Sequence, residues 1–141
     1  MKKLEFTIEI NASKEKIWEA LWKAENYAEW TRAFCEGSHI KGDLVAGNTI
    51  QFLDANNDGM FAIVTEMIPN EKMYFTHLGE VKAGESGDKI YEDESIENYD
   101  IVENDGKSDL TITINAPVEY LQFFTNYFPT AVQNIKNIAE R

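Results

Sequence analysis

The segment from Val118 to Glu140 constrains the fold of this chain more than any other stretch. Its apolar residues Leu121, Phe124, Phe128, Ala131, Val132, Ile135, Ile138 and Ala139 recur at three- and four-residue steps, which places them on one face of a helix of about six turns. An apolar stripe of that length needs a broad surface to cover it, and the remaining sequence supplies mainly strands. Pro117 opens the helix and Pro129 lies inside it. A proline there lacks the amide hydrogen that would bond the Thr125 carbonyl, and its ring crowds that carbonyl, so a bend or split is expected nearby. The two halves differ in composition. Ala131 to Ala139 is aliphatic and is expected to anchor the helix to a sheet, whereas Tyr120 to Phe128 is aromatic and is expected to line a cavity.

The strands announce themselves by alternation. Leu4, Phe6, Ile8 and Ile10 are apolar between polar Lys3, Glu5, Thr7 and Glu9, the period of a strand with one face on a core. Ser13 then reads as an N-cap, with Glu15 in the first turn of a helix from Lys14 to about Lys23 and a second short helix near Glu25 to Trp30. Further strands are expected at Ser38 to Lys41, Thr49 to Leu53, Met60 to Ile68, Met73 to Leu78, Ser95 to Glu103 and Leu110 to Asn115. Asn57-Asp58-Gly59 reads as a hairpin turn whose residues tolerate positive φ. Gly79 to Asp93 is polar and acidic and reads as a long mobile connection with a fragment of strand at Ile90-Tyr91.

These elements amount to one α+β domain over residues 1–141, long enough to bury roughly two-thirds of the surface of the unfolded chain. With Cys35 as its single cysteine the chain forms no internal disulfide. The N-terminus runs directly into strand alternation with no apolar signal-peptide core, so a cytoplasmic location is expected. No apolar run approaches the roughly 20 residues of a membrane-spanning helix, which argues against membrane insertion. The formal charge is -12, and from Glu80 to Asp109 eleven acids face three lysines. Such a field serves solubility and repels phosphate backbones and anionic lipids, so nucleic acid is not an expected partner.

Particular residues resemble a known family. The segment FTIEINASKEKIWEALW from Phe6 to Trp22, followed by Tyr27 and Trp30, resembles the opening of the START-like (SRPBCC, helix-grip) superfamily, in its branch homologous to the activator of the Hsp90 ATPase. DLVAGNTIQF from Asp43, the turn at Gly59 and VTEMIPNEKM from Val64 extend the likeness over nearly the whole chain. The resemblance implies a curved antiparallel sheet of about six to seven strands wrapped around the long C-terminal helix, with two short helices after the first strand. It also implies an apolar cavity between helix and sheet that takes a lipid, a polyketide-like molecule or another small aromatic compound. The family's Gly-Trp pair in the C-terminal helix is replaced here by Phe128-Pro129-Thr130-Ala131. The separate N-terminal domain with which the eukaryotic co-chaperone engages Hsp90 has no counterpart in this length.

The aromatic content supports a cavity independently, because ligand pockets are mostly apolar with a few placed polar groups. The residues expected to line it are Trp30, Phe52, Ile63, Phe75, His77, Tyr99, Tyr120, Phe124, Tyr127 and Phe128. An aromatic stripe at helical spacing is more often plain core, so the set weighs more than its members. His77 shares the strand face of Met73 and Phe75 but has no carboxylate close in sequence and no metal-ligand spacing with His39. Asp54, Asn56, Asp58 and Gly59 match half a calcium loop, but Thr65 occupies the position where a bidentate glutamate is needed, so a hairpin turn is the better reading. No nucleophile elbow, phosphate loop, metal cluster or paired carboxylates emerge, and no cofactor is called for. Binding of a small apolar or aromatic molecule is therefore the expected function. A cyclase-like or hydrolase-like enzyme using the same cavity, with His77 or a buried tyrosine as acid or base, is the alternative. A chaperone-linked interaction module with an acidic steering surface is the third reading.

Overall fold

The computed structural model describes all 141 residues. Strand β1 (Lys2–Ile10) leads into helices α1 (Lys14–Trp22) and α2 (Ala24–Trp30), followed by a 3₁₀ turn at Thr31–Ala33. Strands β2 (His39–Lys41), β3 (Thr49–Leu53), β4 (Gly59–Ile68), β5 (Lys72–Lys82), β6 (Glu85–Ser86), β7 (Ile96–Asn104) and β8 (Lys107–Ala116) come next. A 3₁₀ turn at Val118–Tyr120 then opens α3, Leu121–Glu140. The sheet is antiparallel in the order β1-β8-β7-β5-β4-β3-β2, with β6 paired to β5. This is the helix-grip layout: β8 returns to pair with β1, and the two helices after β1 lie against α3 beside the sheet.

Local chemistry explains the first elements. Leu4, Phe6, Ile8 and Ile10 pair with Ile114, Ile112, Leu110 and Ser108, so the apolar positions of the two strands fall on one face. The Ser13 side chain accepts from the Lys16 amide at 3.3 Å and caps α1. Its buried residues Ile17, Ala20 and Leu21 join Trp30, Phe75, Tyr99, Ile112, Phe128, Ala131 and Ile135 in the principal core. The Trp30 indole donates to the Leu21 carbonyl at 3.0 Å, tying α2 to α1. Register shifts at Phe61/Ala62 and Val64/Glu66 bend β4 and β5 together.

Four expectations are corrected or refined. The strand expected to stop at Leu78 runs on to Lys82, turns at Ala83-Gly84 and pairs with β6, so the connection shrinks to the residues after Ser86. Val81 drives this extension, being 3 % exposed in a second small core with Leu53 and Phe61. Ile90 and Tyr91 do not form a strand; their amides instead donate to the Leu78 carbonyl and hold the connection against β5. At the hairpin, Asn57 takes the positive φ of 61°. Gly59 is needed for a different reason, since a Cβ there would lie 1.9 Å from the Phe52 carbonyl oxygen. Finally, α3 runs unsplit through Pro129.

Helix α3 divides by burial. Phe128, Ala131, Ile135, Ile138 and Ala139 are buried, whereas Phe123 and Tyr127, with Tyr120 of the preceding turn, are 37–42 % exposed. The second half is packed on β1, α1 and α2, and the first half projects past that contact over the concave face of the sheet.

Candidate functional site

Under the aromatic half of α3 lies a cavity of about 360 Å³. The concave strands supply one wall through Phe52 of β3, His77 of β5, Glu97 and Tyr99 of β7 and Ile114 of β8. Tyr27, Trp30 and Phe34 supply a second, and Tyr120, Phe123, Phe124 and Phe128 a third. The walls brace one another by ring contacts. Phe34 stacks on Phe123 with centroids 5.8 Å apart and meets Phe128 edge-on at 4.9 Å, while Phe128 stacks on Phe6 at 4.9 Å. Tyr91, in the connection after β6, lines the same space as Tyr120. Burial and then the neighbouring Tyr120 push its hydroxyl up to about 12.

The polar floor is built by strand register. Glu97 stands opposite Phe75 across the β5–β7 ladder, which makes His77 its diagonal neighbour on the same face and Tyr99 its neighbour two residues along the strand. His77 Nε2 lies 3.0 Å from Glu97 Oε1, and since a carboxylate only accepts, the imidazole carries its proton on Nε2. The Tyr99 hydroxyl donates to the other oxygen, Glu97 Oε2. Burial first, and the Glu97 charge second, hold the Tyr99 hydroxyl well above the ordinary tyrosine range, so it remains a donor. His77 Nδ1 is enclosed without a hydrogen-bond partner. The Glu97 side chain is 20 % exposed and Tyr99 only 1 %, so the carboxylate is what the floor presents.

Of the ten residues named from sequence, the fold brings Trp30, Phe52, His77, Tyr99, Tyr120, Phe124 and Phe128 to this cavity. Three lie elsewhere. Phe75 is fully buried behind the wall, edge-on to Phe52 at 5.0 Å and to Trp22 at 5.7 Å. Ile63 alternates with core residues Ala62 and Val64 and so takes the opposite face of β4. Tyr127 lies outside the lining, 42 % exposed, its ring packed on Phe123 at 5.0 Å.

Sequence reasoning missed Glu97 and gave His77 no carboxylate partner, because the two are joined across a ladder and are 20 residues apart. The signal was available in the alternation of β7: a strand that turns Tyr99 inward also turns Glu97 inward. Asp54 and Asp58 also line the space; Asp54 Oδ1 accepts from the Asn56 and Asp58 amides, and Asp58 Oδ1 from the Ala83 amide, so these acids fasten the turn.

Solved structures share the fold at low sequence identity. The Aha1 dimer from Colwellia psychrerythraea matches with a TM-score of 0.73 at 20% identity, over 99% of this chain and 97% of that one. Protein MLL2253 from Mesorhizobium loti matches with a TM-score of 0.72 at 12% identity, over 97% and 96%. DynU16, a protein of the dynemicin biosynthetic locus, gives 0.72 at 12% identity over 97% of this chain, which spans 46% of DynU16. No curated protein sequence matches. The model of the family described as Activator of Hsp90 ATPase homolog 1-like protein matches residues 11–138, and the chain belongs to that family.

Proposed function

We propose that this protein binds a small apolar or aromatic molecule in the cavity between α3 and the concave face of the sheet. One observation carries the reading: an aromatic-walled space of about 360 Å³ with a single fixed carboxylate, Glu97, presented at its floor between His77 and Tyr99. That volume falls within the usual range of small-molecule sites, and the wall is apolar with few polar groups, as such sites require. The origin of DynU16 in a biosynthetic locus is consistent with a fold that handles small molecules. Entry runs past Tyr91 and the exposed aromatic residues at the start of α3. A thermal-shift screen against a chemically diverse library tests the proposal, because a ligand that prefers the folded state raises its apparent stability. Hits that lose their effect when Phe124 or Phe128 is shortened support it; a screen without any hit overturns it.

Acid–base catalysis in the same cavity is a second reading, favoured by the His77–Glu97 hydrogen bond. A carboxylate beside an imidazole is a usable proton acceptor when a substrate lies within reach. Because Nδ1 of His77 is enclosed, Glu97 would be the group that meets the substrate. Conversion of a library hit by the wild type and its loss in Glu97→Gln would support catalysis. Unchanged recovery of every hit after prolonged incubation would leave binding as the function.

A further inference from the structure

We infer that the cavity selects aromatic ligands that carry an amine, and so are cationic, over neutral and anionic ligands of the same shape. The inference rests on the binding role proposed above and concerns the charge of what is bound. The carboxylates Glu97, Asp54 and Asp58 all line the space, neither lysine nor arginine does, and the one basic side chain there, His77, is already engaged with Glu97. An anionic ligand, such as a fatty acid or an aromatic carboxylate, would have to leave water and meet three carboxylates without a fixed cation. A cationic ligand finds the reverse.

The floor has the right valence for an ammonium group. The two oxygens of Glu97 offer about four acceptor sites in all. His77 takes one through Oε1 and Tyr99 one through Oε2, which fixes the carboxylate while leaving acceptor capacity on each oxygen. Aromatic side chains line the space, and a cation seated over the face of one of their rings gains cation–π attraction, which is strongest where water is excluded. Residues at the N-terminal, positive end of α3 also line the space, and that end would favour anions. Glu119 sits in the turn that begins this end and offsets it. The net charge of -12 on the chain works in the same direction as the lining, drawing cations towards the mouth.

Calorimetric titration with tryptamine, tryptophol and indoleacetate tests this, since the three share one ring and differ in the group at the end of a short arm. The titrations are run at about pH 8, where an alkylamine is cationic and free imidazole is neutral. Tryptamine is expected to bind about tenfold or more tighter than either analogue, the scale of one charge-assisted hydrogen bond. In Glu97→Gln, which keeps the side-chain shape and whose folding is checked by circular dichroism, that preference should collapse to about threefold or less. Equal affinity for all three, or preference for indoleacetate, overturns the inference while leaving ligand binding intact. If the indoles do not bind, the charges of the library hits decide: predominantly neutral or acidic hits overturn the inference, basic hits lost in Glu97→Gln support it, and a library without hits removes the binding role itself.

Discussion

Glu97 belongs to the most acidic stretch of the chain, yet its carboxylate turns inward and takes hydrogen bonds from His77 and Tyr99. Composition alone hid it among solvated acids; the ladder between β5 and β7 brings it His77, and alternation along β7 brings it Tyr99. Phe128 was legible from its helical spacing, and its neighbours Phe6, Phe34 and Phe124 confirm how many surfaces meet at one ring. Phe128→Ala is expected to lower stability by about 3–5 kcal/mol in urea unfolding, the usual cost of emptying a buried aromatic site. Tyr74 offers a test in alkali. Its hydroxyl, pushed up to about 12 by burial and then by its bond to Asp100, stays protonated where an unfolded tyrosine ionises near 10.0. Between those values the folded state holds the proton that the unfolded state releases, so stability falls as pH rises. Urea midpoints measured through this window should fall less steeply in Tyr74→Phe than in the wild type.

At the scale of elements, β1, α1 and β3 were legible because one local signal, alternation or a cap followed by helical spacing, agrees with the tertiary role of each. The far end of β5 was not. Gly79 looks like punctuation in the sequence, but the strand continues because Val81 reaches Leu53 and Phe61, a contact between distant segments that no local pattern reveals. Gly79 is tight for a related reason: a Cβ there would come within 2.4 Å of the Asp88 carbonyl oxygen. At Gly59, substitution by alanine should cost about 1–3 kcal/mol through the clash with the Phe52 carbonyl, read as a lower urea midpoint. Pro129 is exposed and leaves the Thr125 carbonyl without its helical donor, although α3 passes through it. Pro129→Ala is expected to raise stability by about 1–3 kcal/mol in the same assay; a loss of stability would mean that the helix requires the proline geometry.

At the scale of the whole molecule, the helix-grip layout separates support from function. The aliphatic half of α3 is fastened to β1, α1 and α2, and the aromatic half is left to roof the cavity. The outline of this division could be read from composition along one helix, whereas the placement of Phe75 behind the wall and Tyr127 outside it depended on sheet curvature and helix rotation in three dimensions. No helix is long and apolar enough to cross a membrane. The central claim is that the space beneath α3 is where a ligand binds, and NMR shift mapping tests it most directly. Titrating a thermal-shift hit into protein with labelled aromatic side chains should move Phe52, Tyr99, Phe124 and Phe128 together while Tyr74, on the outer face with Asp100, stays in place. Shifts confined to exterior residues, with those four rings unmoved, would contradict the account.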